Sequence, residues 1–201
     1  AGTQTTIQDV PGRIGYWNVG IPPSGPFDDY SFRLGNRLLG NTENCAGLEI
    51  TLKGPVLKFG QASQCVMTGA VTNATIIRDD QEVAVEFYQV INLEAGDTLD
   101  CGTVTGAGAR AFLLIAGGIQ CPEYLDSRST FTLGQFGGHN GRSLLPGDVL
   151  HLLPNAAINN ELPVAYDTNL IPSIGNTWEV NVIYGPHGAP DFFTDEDITT
   201  F

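Results

Sequence analysis

The chain has 201 residues, 42% of them hydrophobic, which is enough for one substantial core or two small packed subdomains. Nine Lys and Arg against 22 Asp and Glu leave a formal charge of −13, which argues against a nucleic-acid surface, because phosphate binding needs clustered basic residues and these are few and scattered. No apolar run approaches the roughly 20 residues of a membrane span, and the N-terminus lacks the basic, apolar and small-residue layout of a signal peptide.

The first element in chain order is a stiff, non-repetitive loop within residues 8–41, QDVPGRIGYWNVGIPPSGPFDDYSFRLGNRLLGN. Gly12, Gly15, Gly20 and Gly25 allow positive φ or close backbone approach there, while Pro22, Pro23 and Pro26 fix φ and remove donors. A helix over Asp29–Leu39 follows, capped by Asp28 or Asp29, with an expected apolar stripe of Phe27, Tyr30, Leu34 and Leu38 and a left-handed stop at Gly40-Asn41.

From there the apolar residues come in short runs, punctuated by Gly, Pro, Asn and Asp at the spacing of a β-barrel or sandwich. The expected strands are Gly47–Leu52, Val56–Phe59, Gln64–Thr68, Ala74–Arg78, Glu82–Phe87, Val90–Leu93, Thr98–Cys101, Arg110–Ile115, Val149–Leu153 and Glu179–Tyr184. Two phrases, Ala95-Gly96-Asp97 and Pro146-Gly147-Asp148, each place Gly-Asp just before an apolar strand start and are read as turns, not as a repeat. Asp79-Asp80 reads as part of a solvated acidic face. Pro154–Pro172 is the candidate linker, with a possible subdomain boundary inside it, and a second short helix is expected to begin near Thr194. The fold class is mainly β with one or two short helices.

The stretch Gly117–Asp148 is too long and glycine-rich for an ordinary connection. Tyr124, Leu125, Phe131, Leu133, Phe136 and Leu144 offer buried anchors, and Ser127, Arg128, Ser129, Thr130, His139, Asn140 and Arg142 offer hydrogen bonds, so it reads as a ligand loop. Arg128 and Arg142 are fork-shaped donors suited to a carboxylate or carbonyl oxygen, and Gly137-Gly138 would let backbone N–H groups approach it. The alternative is that both arginines pair with local carboxylates such as Glu123 and Asp126. A third dense stretch, YGPHGAPDFF at residues 184–193, is either part of the same cleft or a proline-rich turn with Phe192 and Phe193 docked in a core.

Other chemistries find little support. His139, His151 and His187 are isolated, with no HxH, HExxH or Cys–His cluster, so no metal site is expected; His151, between Leu150 and Leu152, should face outward. No GxSxG elbow accompanies Ser24 or Ser129, and GGHNGR lacks the lysine and the strand–loop–helix order of a P-loop. Cys45, Cys65, Cys101 and Cys121 are irregularly spaced with no CxxC pair and read as reduced thiols. No catalytic residue is assigned.

Taken together, TTIQDVPGRIGYW, GIPPSGPFDDYSFRLGNRLLGN, GLEITLKGP, YLDSRSTFTLGQFGGHNGR, LPGDVL and YGPHGAPDFF resemble the carboxyltransferase domain of biotin-dependent urea carboxylase, in its subdomain A and B portion, also described as allophanate hydrolase subunit 2-like. The YW after the first PGR, the PPSGP and the PHGAPDFF look more like urea or guanidine carboxylase than the branch formed by the C-type subunit of 5-oxoprolinase. At Asp126 the family pattern has glycine.

The resemblance implies a cyclophilin-like β-barrel architecture and a cytoplasmic, ATP-driven system with no metal in this chain. A separate biotin carboxylase domain loads CO₂ onto biotin held by a carrier domain. The carboxyltransferase then positions urea or guanidine so that its nitrogen attacks released CO₂ while biotin accepts the proton, giving allophanate or its analogue. The residues expected to contact substrate or biotin are Ser24, Asp28, Arg128, Ser129, Asn140 and Arg142, with Gly25, Gly137 and Gly138 shaping the backbone. The resemblance also implies partners, the C/D half of the domain, and predicts that residues 1–201 alone lack full activity. The competing class is a component like the C-type subunit of 5-oxoprolinase, or a non-catalytic regulatory protein of the same family.

Overall fold

The computed structural model describes residues 2–153, 167–183, 185 and 191–200. In chain order its strands are β1 (Gln4–Gln8), β2 (Gly47–Thr51), β3 (Val56–Lys58), β4 (Ser63–Gly69), β5 (Thr75–Arg78), β6 (Gln81–Ala84), β7 (Ile91–Leu93), β8 (Thr98–Asp100), β9 (Arg110–Ile115), β10 (Ile119–Gln120) and β11 (His151–Leu152). The helices are α1 (Asp29–Leu38) and α2 (Asp195–Thr200). Three antiparallel ladders result: a five-stranded sheet in the order β1-β2-β9-β4-β7, a four-stranded sheet in the order β3-β8-β5-β6, and the pair β10-β11. The protein is mainly β, as the apolar spacing predicts, and among the described residues each ladder stays open at its edges.

The central strands of the large sheet are apolar on both faces because both faces are covered. On β9, Ala111, Leu113 and Ile115 join Cys65 and Met67 of β4 and Leu48 and Ile50 of β2 in one core, packed toward Leu57, Ile76, Leu99 and Cys101 of the second sheet and its surroundings. The alternate residues Phe112, Leu114 and Val66 face the other way, into a second core with Phe32, Leu34 and Leu38 of α1. The order is therefore helix, sheet, sheet. The strand β1 lies on the edge of the large sheet, with Ile7 opposite Leu48.

The helix forms where its caps require. Asp28 accepts hydrogen bonds from the Ser31 backbone N–H (3.0 Å) and hydroxyl (2.6 Å), and at the other end Gly40 N–H reaches Arg37 O while Asn41 N–H reaches Asn36 O, with Gly40 at φ 68°. Its buried face is Ser31, Leu34, Gly35 and Leu38 together with Phe32, which corrects the expected stripe: Tyr30 is exposed, and Phe27 precedes the helix. The reason is phase, since residues at i, i+3, i+4 and i+7 from Ser31 are those that meet the sheet. Gly35 is needed there, because a Cβ would lie 2.5 Å from Leu114 Cδ2.

Other departures have local causes. Asp79 and Asp80, at φ 48° and 61°, form the two-residue turn between β5 and β6, so they close a hairpin as well as facing solvent. No strand forms over residues 179–183 of the expected Glu179–Tyr184, because nothing in the described chain pairs with them; Val180 and Val182 are exposed. The two Gly-Asp phrases fold as the same turn. Asp97 N–H and Asp148 N–H each reach the carbonyl three residues back at 3.2 Å, each carboxylate accepts that residue's N–H, and Gly96 and Gly147 sit at φ 102° and 90°. Most of the candidate linker (154–166), as well as Tyr184, residues 186–190 and with them His187, lies outside the described residues. No helix among the described residues is long and apolar enough to cross a membrane.

Candidate functional site

Two buried charged residues join the loop after β1 to the long loop between β10 and β11. Asp9 follows β1 directly and is 5% exposed. Its carboxylate accepts from the hydroxyls of Ser127 and Ser129, both at 2.6 Å, and from Arg128 N–H at 2.8 Å, while its own N–H donates to Ser129 Oγ at 3.0 Å. Arg13 is 0% exposed and donates to Tyr124 O (3.0 Å), Ser129 O (3.0 Å) and Ser24 Oγ (2.9 Å). Its guanidinium also lies 4.8 Å from the centre of the Phe136 ring. Burial pulls the Arg13 pKa down while nearby Asp9 holds it up. The charges of Asp9 and Arg13 are thus spent inside the protein, on fixing one loop against the other.

This arrangement brings some of the expected site residues together and separates others. Ser24 is half-buried on Arg13, and Gly25 packs beside Gly12, whose Cβ would collide with Ser24 O. Ser129 is fully buried within the Asp9 network. Asp28 stands apart as the cap of α1. Arg128 pairs with Glu123 at 2.6 Å, and Arg142 pairs with Asp148 through two bonds of 2.7 and 2.9 Å, so both arginines take the local-carboxylate alternative, Arg142 with a partner the sequence does not suggest. Gly137 and Gly138, at φ 73° and 52°, present their open side inward: a Cβ would meet Ser129 O at 2.1 Å and Thr130 Oγ1 at 1.9 Å. Their glycine requirement comes from packing between the loop strands. Of the expected buried anchors, Leu144 is buried, whereas Leu133 and Tyr124 are 86% and 52% exposed because they lie on the outer side of the loop. Phe192 and Phe193 are exposed as well.

Asp126 sits at φ 59°, in the region that favours glycine, and so explains why the family pattern has glycine there. Here the side chain compensates by accepting a 2.6 Å hydrogen bond from Tyr16 OH, a further link between the two loops, and that bond raises the tyrosine pKa.

The surface that this framework presents is a concavity of about 390 Å³ lined by Pro122, Tyr124, Gln135, Phe136, Gly137, Gly138, Asn140 and Gly141. Of the nine expected contact or shaping residues, Gly137, Gly138 and Asn140 reach it. Tyr124 and Phe136 form its aromatic side, their ring centres 5.0 Å apart and tilted by 52°. Sequence reasoning missed Asp9 and Arg13 as framework residues; the signal available was two opposite charges in DVPGR, flanked by residues with no room for solvated side chains. The four thiols are free, and burial pushes Cys65 and Cys121 up to about 12 and about 11, which leaves them protonated and unsuited to nucleophilic attack.

Comparison with known proteins gives the same grouping throughout. Residues 19–201 match the family described as carboxyltransferase domain, subdomain A and B. The urea amidolyase of Saccharomyces cerevisiae is 46% identical over 204 residues, covering 100% of this chain and 11% of that protein. The crystal structure of the Kluyveromyces lactis urea carboxylase superposes with a TM-score of 0.87 at 43% identity, over 100% of this chain and 18% of that one. The C-type subunit of 5-oxoprolinase from Haemophilus influenzae is 35% identical over 164 residues, 81% of this chain and 51% of that protein. The chain therefore spans a small part of the first two relatives, and it belongs to the carboxyltransferase domain family of subdomains A and B.

Proposed function

We propose that this chain is the carboxyltransferase portion of a biotin-dependent urea or guanidine carboxylase, transferring CO₂ from carboxybiotin to a urea or guanidine nitrogen. The observation that carries this reading is coverage. The urea amidolyase match extends over 100% of the chain at 46% identity, whereas the match to the 5-oxoprolinase component stops at 81% and 35%. The site chemistry is compatible, because such a transfer needs no metal or protein nucleophile but does need rigid, water-poor positioning.

Biotin, when delivered, supplies the carboxyl group and takes back a proton. This chain's part is to bind, orient and exclude water. The aromatic wall of Tyr124 and Phe136 and the neutral amides at the rim fit a planar, uncharged ring, and the Asp9 and Arg13 framework keeps that wall in place. The carrier, the biotin carboxylase that uses ATP, and the C/D half of the domain are proposed partners in a cytoplasmic assembly. The test is the decay of carboxybiotin by the protein containing this chain, with urea, guanidine or 5-oxoproline added. The expected result is turnover with urea or guanidine and none with 5-oxoproline; turnover independent of both nitrogen compounds overturns the reading.

A further inference from the structure

We propose that the concavity between Tyr124, Phe136, Gln135 and Asn140 binds a planar, uncharged ureido group, with the aromatic rings against its face and the two primary amides on its edge. This inference rests on the carboxyltransferase reading for the sources of such a group, which are the ring of biotin and urea itself.

Charge compensation identifies the class. Every ionic group near the concavity is already engaged: Arg13 with carbonyl oxygens and Ser24, Arg128 with Glu123, Arg142 with Asp148, and Asp126 with Tyr16. A charged ligand would find no free counter-charge among these groups, and its desolvation would go uncompensated. By contrast, the side-chain amides of Gln135 and Asn140 have no hydrogen-bond partner among the described residues, and each offers two donors and an acceptor. A ureido group offers N–H donors and a carbonyl acceptor in one plane, which is the complement.

Shape and rigidity support the same class. The volume of about 390 Å³ is at the lower end of small-molecule sites and larger than urea needs, which favours a bicyclic ureido ring. The floor cannot relax away, because Gly141 is packed where a Cβ would lie 2.1 Å from the Gln135 carbonyl carbon, and Gly138 N–H is fixed to Arg128 O at 2.8 Å. Rigid walls reduce the ordering cost of binding.

The experiment is saturation-transfer NMR and titration of the protein with free biotin and, separately, with urea. It compares wild type with the double variant Gln135→Gly, Asn140→Gly. Both positions have φ in the left-handed region, at 58° and 55°, so glycine removes the amides without backbone strain, and circular dichroism checks the fold. Saturation transfer to the ureido-ring protons of biotin, weakened about tenfold in the double variant, is the expected result. Urea binding alone, lost in the same variant, assigns the pocket to the substrate and still supports the ureido class. Equal binding by variant and wild type, or no binding of either compound, overturns the proposal. In those cases urea-dependent carboxybiotin turnover can persist, so the functional reading stands or falls separately.

Discussion

The two Gly-Asp turns share one backbone and one side-chain plan but sit in different surroundings. At Asp97 the carboxylate is 3% exposed; it accepts Glu94 N–H at 2.7 Å and two bonds from Arg78, whose guanidinium also reaches Asn92 O and Glu94. At Asp148 the carboxylate is 15% exposed, accepts Leu145 N–H at 2.8 Å and two bonds from Arg142, and has His139 Nε2 at 3.3 Å. The first turn joins β7 to β8 and so ties the large sheet to the small one. The second closes the candidate site loop ahead of β11. The same local solution is therefore structural between the sheets in one case and a local clamp beside the site in the other.

That difference sets the largest expected effect. Asp97→Ala removes a buried acceptor shared by a backbone N–H and a guanidinium and is expected to cost about 2–3 kcal/mol in denaturant unfolding, the range for hydrogen bonds to a charged group. Asp148→Ala breaks an equivalent set of bonds at a more solvated position and is expected to give a smaller loss of global stability, seen instead as faster amide exchange confined to residues 139–148. Equal global losses would mean that the site loop is as integral to cooperative folding as the sheets.

How much of this is legible in the sequence follows from the range of the interactions. The strands Gly47–Thr51, Ser63–Gly69 and Arg110–Ile115 are visible because two-sided burial writes apolar runs, and α1 is visible through its local caps. Periodicity places the helix phase one residue off because Phe27 and Tyr30 are apolar yet exposed, an ambiguity that spacing alone does not resolve. The Gly-Asp turns are recognisable as turns, but their arginine partners are not: Arg78 lies 19 residues from Asp97 and Arg142 lies 6 from Asp148. Strand β1 and the Asp9 and Arg13 contacts, spanning 111 to 120 residues, leave no periodic trace at all. The family resemblance supplies the site loop's importance, whereas only geometry shows that Arg142, Ser129 and Asp28 are occupied.

Acid titration sharpens the comparison next. Arg78 holds Asp97 below the usual carboxylate range, and Arg142, with the Leu145 N–H, holds Asp148 well below it. A carboxylate whose pKa is depressed by folding contributes stability that is fully present above its unfolded value, about 3.9, and is lost as pH falls through the folded value. The wild type should therefore lose stability as pH drops below about 4, and each alanine variant should lose it less steeply. Because Asp148 is the more depressed, Asp148→Ala should flatten the profile more, even though its effect at neutral pH is the smaller of the two. A profile unchanged by either substitution would show that these pairs persist in the unfolded chain or are screened by solvent.

The smallest and most stringent comparison is at the glycines. Gly96 and Gly147 have φ of 102° and 90°, and an added Cβ at either would meet nothing within 4 Å. Steric overlap therefore cannot contribute, and only the left-handed backbone penalty of about 1–2 kcal/mol remains, offset in part by the lower chain entropy of alanine in the unfolded state. Gly96→Ala and Gly147→Ala should each cost about 1 kcal/mol, equal within error, despite the unequal aspartates beside them. Thermal unfolding of the two variants measures this directly. A Gly147→Ala effect much below that of Gly96→Ala would place the second turn outside the cooperative unit, as the Asp148 exchange experiment independently asks, whereas a larger one would mean that the site loop depends on a backbone shape the sheet-joining turn can partly give up.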